Sequence, residues 1–387
     1  MVVAERYYPE GGGGELATHL IIGLLSKRFE ITVITGTAQP ERQPGVRYIY
    51  EPHLAHKAKP ALWLALSKLA RQRRFTELLR QSDILYIPRF SYPVIPEAKR
   101  LGRRVVVHLH GYAPLSYTSV VLAPYEKHRR RTPLDDISIE CNKTPWHCAA
   151  ALALWWLPRL ARRWLRQSDV VICTSRRHAE IIKNGAPELA DKITIAHNPP
   201  PPLNPDGRQA AEIPTFLYLG GGDPIKGFKT ILETAKRLGN GGKKARLYLT
   251  NHYSHSNIKK LRDLERRYKT LEIKTLGYIP RHEIAQLYKK AWALLFPSTW
   301  EEPLPYAVVE SATAGVIPVA TPVGGVPELL SDTPAAEYMA PPSAVPAKAE
   351  KIAEMTPSEV EKLGASIKTA VLEKLKNADA ELAAAFA

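Results

Sequence analysis

TWEEPLPYAVVESATAGVIPVATPVGGVPE, residues 299–328, carries the reading from which the fold follows. An apolar, strand-like run, ALLFPS (293–298), leads into it. Glu302 and Glu310 stand eight positions apart, about two helical turns, but Pro303 and Pro305 lie between them. Proline denies a helix its interior hydrogen bond, so the spacing predicts a loop that enters a helix near Tyr306. Glu302 then belongs to the strand-to-helix loop and Glu310 lies just over one turn inside the helix. A second apolar run, VIPVATP (316–322), and the turn Gly324-Gly325-x-Pro327-Glu328 follow. Strand, loop, helix, strand and glycine turn make one unit of a parallel sheet. The loops fall outside the carboxyl ends of the strands, the usual ligand crevice of open α/β sheets. A carboxylate placed like that of Glu310 can accept two vicinal ribose hydroxyls, as acidic residues do in dinucleotide folds. Read alone, Glu302 is a solvated loop residue and Glu310 an ion-pair partner; the glycine turn at the same sheet edge favours a site.

The alternation extends through the chain. EITVITG (30–36), DILYIP (83–88), RVVVHLHG (104–111) and DVVICTS (169–175) come before residue 197, and TFLYLGG (215–221), ARLYLTN (245–251) and LEIKTLG (271–277) precede the run at 293. Short β-branched runs between helical patterns predict parallel sheets covered by helices. HNPPPPLNPDGRQAAEIP (197–214) can continue neither helix nor strand and reads as a linker. The expected organisation is a Rossmann-like domain over 1–197, a linker over 198–214, a second Rossmann-like domain over 215–355 and a helical tail over 356–387. Thr356-Pro-Ser-Glu359 opens that tail as a capping box with proline at the first helical position. A doubly wound domain normally opens on a full strand, whereas Met1 to Ala4 leave room for a stub, which places the expected natural start upstream.

Bulk properties narrow the class. A chain of 387 residues is long enough for two compact domains. It has no run of eighteen uncharged apolar residues and its first residues lack a signal-peptide pattern, so a cytoplasmic location is expected. Net charge is +16, and residues 1–200 hold 30 Lys and Arg against 17 Asp and Glu, whereas 201–387 hold 24 against 21. The first half therefore favours anionic partners such as lipid headgroups, lipid-linked phosphates or nucleic acid. Cys141, Cys148 and Cys173 do not form a zinc or disulfide pattern and read as packed thiols, although Cys141 and Cys148 could pair. Scarce Asn and Gln, 8 and 7, are a weak mark of heat adaptation, and heat-adapted organisms form intracellular disulfides.

Further motifs sit at strand ends. In LGGGDPIKGFKTILETAKRL (219–238), Lys226 follows a glycine-rich turn and precedes a helix, where amides already favour anions. Gly12 and Gly13, in YYPEGGGGELATHLIIGLL (7–25), allow close backbone approach to a ligand. His108 and His110 end RVVVHLHG on the same strand face, so either could serve a site. Taken singly, an exposed Lys is surface, a glycine run is a flexible loop and a strand-end His is structural.

Together these segments resemble the large retaining family of GT-B glycosyltransferases called family 4. The resemblance covers residues 7 to about 330, through 7–25, HLHG (108–111), CTSRRHAEII (173–182), HNP (197–199), 219–238 and 299–328. It implies a GT-B fold, with two Rossmann-like domains facing across a cleft, and transfer of a sugar from a nucleotide diphosphate donor, UDP- or GDP-linked, to an acceptor hydroxyl with retention. It further implies that Glu310 holds the donor ribose, Glu302 the sugar hydroxyls and Lys226 the pyrophosphate. Gly12 and Gly13 would approach the phosphates, Gly221 would lie in the phosphate loop, and His110 would line the acceptor side of the cleft and touch the sugar.

Two departures stand out. Gly221 occupies the family's phosphate-loop Arg position, and Pro305 replaces a loop Gly and has no N–H to offer. No Asp-x-Asp follows an apolar strand, so metal-independent catalysis without a cofactor is expected. The clusters LARQRRF (69–75) and HRRR (128–131) read as solvated faces. AALALWWLPRLARRWLR (150–166) reads as an amphipathic basic helix, either packed on the domain or lying on anionic lipid at the inner face of the cell membrane. The acceptor is expected to be lipid-linked or a glycan. Nucleic acid is not expected as a partner, since its recognition patterns are missing. An epimerase or hydrolase of the same fold, and an inactive basic binding protein, are the alternatives.

Overall fold

A computed structural model describes residues 1–56, 58–125, 133–141, 144–203 and 207–387, without the side chains of Pro133 and His282. The basic cluster at 128–131 lies outside the described residues. Two compact units emerge, Met1–Val121 with Arg130–Pro199 and Asn377–Ala387, and Leu122–Arg129 with Pro200–Lys376.

The first unit is built on a parallel sheet of β1 (Val2–Ala4), β2 (Thr32–Thr35), β3 (Arg47–Tyr50), β4 (Ile84–Ile87), β5 (Arg104–Leu109), β6 (Val170–Cys173) and β7 (Ile193–Ile195), in the order 3-2-1-4-5-6-7. The stub β1 is an interior strand, and its three residues are buried between β2 and β4. The second unit has β8 (Thr215–Tyr218), β9 (Ala245–Thr250), β10 (Leu271–Gly277), β11 (Ala293–Phe296) and β12 (Ile317–Ala320), all parallel, in the order 10-9-8-11-12. Both orders reverse direction beside the first strand of the unit, which opens a crevice at the carboxyl edge there. Every strand-like run quoted above contains a strand. Two short strands were not expected: β3 lies at a sheet edge with Arg47 and Tyr50 exposed, and β7 has three residues.

The division corrects the expected boundaries. The helix Pro357–Leu375 is no free tail; it packs on the helix Tyr306–Thr313 in the second unit. Its capping box forms as expected, with Glu359 N donating to Thr356 Oγ1 at 3.3 Å and Thr356 N to Glu359 Oε2 at 2.7 Å. The helix Tyr306–Thr313 ends in a Schellman motif, Gly315 at φ +74 with Val316 N donating to Ser311 O at 2.8 Å. Gly364 crosses this turn so closely that a Cβ would sit 1.9 Å from Gly315 O. The last helix, Ala378–Ala384, belongs to the first unit, where Phe386 meets Tyr86 edge-on and Glu381 accepts from His197 at 2.9 Å. Leu122–Tyr125 leaves the first unit's chain segment and joins the second: Leu122 bridges to Trp300, and Ala123 N donates to Thr299 O at 2.8 Å.

The basic stripe at 150–166 is likewise not one helix. Pro158 cannot donate to Leu154, so helices Pro145–Leu154 and Leu157–Leu165 meet at Trp155-Trp156. The second of them is a packed domain helix. Leu157, Ala161 and Leu165 are buried, Trp164 stands edge-on to Trp63, and Arg159, Arg163 and Arg166 face solvent. Cys141 and Cys148 are joined in a disulfide, whereas Cys173 is a buried thiol. In LARQRRF the four polar residues are exposed and Phe75 is core.

Gly364→Ala is expected to lower the stability of the second unit by about 1–3 kcal/mol through overpacking against the Gly315 turn. Chemical denaturation beside wild type checks it.

Candidate functional site

In the second unit, the carboxyl ends of β8, β11 and β12 bring the Lys226 turn, the Glu302 loop and the Gly324-Gly325 turn together. After β8, Asp223 caps a single 3₁₀ turn, Pro224–Lys226, by accepting from Ile225 N at 3.1 Å. Gly227 follows at φ +85, and a Cβ there would lie 2.0 Å from Pro297 O, so only glycine lets this turn rest on the end of β11. Thr299 N closes the contact by donating to Ile225 O at 2.8 Å. The ammonium of Lys226 is thereby delivered to Glu302: Nζ to Oε1 is 2.8 Å, and Ser298 Oγ donates to the same oxygen at 3.0 Å. Lys226 also stands 5.1 Å from the centre of the Trp300 ring. Glu302 is buried, whereas Lys226 keeps about a third of its side chain in solvent.

The two glycine-flanked loops of 299–328 are a single construction. Gly325 N donates to Glu302 O at 3.0 Å, and Gly324 N to the buried Glu301 carboxylate at 2.7 Å. Gly324 has φ +51, and a Cβ would fall 1.7 Å from Glu302 O. The glycine pair therefore seats the Glu302 backbone. Pro303 and Pro305 delay the helix to Tyr306, as expected, and Glu310 is its fifth residue. Glu310 is buried against Arg281, whose Nη1 donates to its Oε1, and against the Tyr288 hydroxyl. Burial raises its pKa, and Arg281 and Tyr288 oppose the rise. Arg281 Nη2 is shielded from solvent and has no partner among the described residues.

Gly221 lies at φ +66 with the end of β9 against it: a Cβ would sit 3.2 Å from Asn251 Cβ and 3.3 Å from His252 O. An Arg there would be strained in backbone and crowded at Cβ. Sequence reading passed over Arg281, Glu301 and Trp300. A signal for Arg281 was available, since Gly277-Tyr-Ile-Pro280-Arg281 turns at the same carboxyl edge as the other loops.

In the first unit, Gly12 precedes the helix Gly13–Leu25 and donates its N–H to Glu15 Oε2 at 2.8 Å. A Cβ on Gly12 would meet nothing within 4 Å, so its backbone borders open space. Glu15 is buried and paired with Arg89, which also lies 3.6 Å from Glu5. Gly14 rests on His110, with 3.5 Å between a Cβ built there and His110 Cβ. The rings of His108 and His110 stack at 4.3 Å, as their shared face requires, but their environments differ. His108 is fully buried, and its Nδ1 is 3.1 Å from the Tyr86 hydroxyl. His110 lies just past the strand end, partly buried, and its Nε2, like that of His108, is shielded from solvent and has no partner among the described residues. His108 is the more deeply buried of the two. Burial holds His108 down at about 3 and His178, against Gly111 O at 3.3 Å, at about 4. Burial, with His108, Arg89 and His178 nearby, also holds His110 well below 6.5, so all three rings are neutral at pH 7.

Against this geometry, the family profile described as Glycosyltransferase Family 4 matches residues 10–200, and that of glycosyl transferases group 1 matches residues 205–370. The chain belongs to the family 4, group 1 glycosyltransferases and is a glycosyltransferase of GT-B fold. Among solved structures, it is similar to HepE of Anabaena in complex with UDP and glucose (15% identity, 100% of this chain and 98% of that one, TM-score 0.68). It is also similar to sucrose-phosphate synthase from Thermosynechococcus elongatus (15% identity, 100% and 97%, TM-score 0.69). A trehalose-6-phosphate synthase, OtsA, gives 12% identity over 99% and 97% with TM-score 0.67. No curated protein matches the chain by sequence.

Two outcomes follow from these contacts. Gly324→Ala is expected to cost about 1–3 kcal/mol from backbone conformation alone and to unseat the Glu302 loop, measurable as a lowered melting temperature. The depressed histidines contribute stability that is fully present above about pH 6.5. It is lost as pH falls from there towards about 4, because the unfolded chain takes up protons that the folded chain refuses. Melting curves between pH 7 and pH 4 should show a shallower decline for His178→Gln than for wild type.

Proposed function

We propose that the protein transfers a hexose from a nucleoside diphosphate donor, UDP- or GDP-linked, to an acceptor hydroxyl with retained anomeric configuration and without a metal. The observation that carries this is the Lys226–Glu302 pair, a cation and a carboxylate 2.8 Å apart. A nucleotide sugar has the matching arrangement, an anionic diphosphate joined to a neutral polyol. Lys226 stabilises charge growing on the departing diphosphate, which is where fixed positive groups contribute most to such a transfer. Glu302 accepts hydrogen bonds from sugar hydroxyls, and Ser298 holds the unliganded carboxylate in place. Glu310 receives the ribose hydroxyls; donor binding then shares its carboxylate with Arg281 or displaces that contact. In the first unit, the roles the family resemblance implies are Gly12 and Gly13 toward phosphate and His110 toward a sugar hydroxyl; the open space beside Gly12 and the neutral His110 ring suit them. Gly221 contributes backbone conformation, so Lys226 works without the family's second cation.

The UDP in the HepE structure supports a uridine donor. A lipid-linked or glycan acceptor suits the excess of Lys and Arg in residues 1–200. We place the activity in the cytoplasm.

Thermal-shift measurements with UDP, GDP, ADP and their sugar conjugates test the donor site. A ligand at about a hundred times its dissociation constant adds roughly 2.7 kcal/mol of stability. One nucleotide family is expected to raise the melting temperature of wild type and not of Lys226→Ala or Glu310→Ala. No shift at millimolar ligand overturns the donor assignment. Activity unchanged by EDTA and an NMR-assigned anomeric configuration test metal independence and retention, while release of free nucleotide diphosphate without acceptor identifies a hydrolase or epimerase.

A further inference from the structure

Four of the seven tryptophans fall between residues 146 and 164, and three of these face solvent. In the first unit, Pro133–Cys141 and Pro145–Leu154 form a helical hairpin whose members pack together and are joined by the Cys141–Cys148 disulfide. Its inner side holds the buried Ala151 and Asp136. The Asp136 carboxylate accepts from Ser116 Oγ at 2.5 Å and from Tyr117 N at 2.8 Å, which anchors the hairpin to the rest of the unit. The outer side is apolar and bare. Trp146, Ala149, Ala153 and Trp156 recur at three- and four-residue spacing on one face, Leu152 lies beside them, and all five are exposed. Trp146 retains 86% of its surface, Leu152 56%, and Trp155 and Trp156 43% and 44%.

Such a face is costly to leave in water, since a whole aromatic side chain has about 150–250 Å² of mostly apolar surface, of which Trp146 exposes most and Trp155 and Trp156 a little under half. Charge decides what covers it. Residues 144–166 contain four Arg and no Asp or Glu. Arg159, Arg163 and Arg166 are exposed on the helix that continues from the elbow, and the Arg159 guanidinium lies 4.4 Å over the Trp155 ring. A second copy of this chain would bring like charges together, each copy carrying +16. Tryptophan at headgroup depth with arginine beside it is the pattern of an amphipathic element lying in the interface of an anionic bilayer. None of the described helices is long and apolar enough to cross a membrane, which fits an element lying on the surface.

We infer that the outer face of this hairpin, Trp146, Leu152, Trp155 and Trp156 with Arg159 and Arg163, docks the protein on an anionic lipid surface. The site differs from the single stripe expected at 150–166: the apolar contact comes from the exposed hairpin upstream of Pro158 and the charge from the packed helix downstream. It does not depend on the transferase reading, because none of these residues belongs to the donor site.

Flotation with phosphatidylcholine vesicles, with and without about 30% phosphatidylglycerol, tests it at low and high salt. Wild type is expected to float only with anionic vesicles and to be released by salt. Trp146→Ser with Trp156→Ser, and separately Arg159→Glu with Arg163→Glu, should each reduce binding by about tenfold or more while leaving melting temperature and any nucleotide-induced shift unchanged. These positions are solvent-exposed, so the variants should fold. Absence of flotation at low salt, equal binding to neutral vesicles, or binding that survives both double variants overturns the inference. Sedimentation showing concentration-dependent dimers that the Trp double variant abolishes assigns the face to a second copy instead and likewise overturns it.

Discussion

The pairing of Lys226 with Glu302 is the constraint around which the second unit is arranged. An ammonium on its flexible stem meets a buried carboxylate only if the backbones behind both are brought to the same place. Two glycines do this from opposite sides: Gly227 lets the Lys226 turn sit on Pro297, and Gly324 lets the second turn sit on Glu302. Neither position tolerates a Cβ. The strands beneath supply the rigidity, since β8, β11 and β12 are adjacent and end together. Loops mounted this way can be irregular and still exact in position, which is how parallel sheets carry chemistry on segments with little regular structure.

The same logic separates two kinds of buried charge. Glu302 is satisfied by one lysine and one hydroxyl, and the lysine remains partly in water. Glu310 lies deeper, and its burial raises its pKa even with Arg281 against it. A carboxylate so placed gains from any ligand that adds hydrogen bonds to its charged form. The histidines of the first unit behave oppositely, because burial there keeps the rings neutral. Neutral imidazole can both donate and accept, which suits hydroxyl recognition better than a fixed positive charge would.

Much of this was legible in the sequence because parallel sheets have buried, β-branched strands. β5, β9 and β11 read directly, whereas β3, at an edge with Arg47 and Tyr50 in water, carries no apolar run to recognise. Glu302, Glu310 and Lys226 were visible because prolines and glycines around them restrict the backbone in ways that can be worked out residue by residue. Arg281 and Glu301 were not, since their partners come from strand ends or turns far off in sequence, and nothing local marks a charged residue as paired. The basic stripe misled for a simpler reason: helical periodicity continues across Pro158, but the hydrogen-bond ladder does not. The state of Cys141 and Cys148 depended on two helices packing together, which their spacing alone did not reveal.

The path of the chain has a consequence for how the molecule can be made and taken apart. Residues 377–387 complete the first unit, placing Phe386 on Tyr86 and Glu381 on His197, and residues 122–125 are already committed to the second. During synthesis the first unit therefore waits, missing its last helix, until the whole second unit has been made. Neither half corresponds to a single stretch of gene. A cut at the proline-rich linker would leave each product missing a piece held by the other, so the two sheets are separate in architecture but joint in assembly.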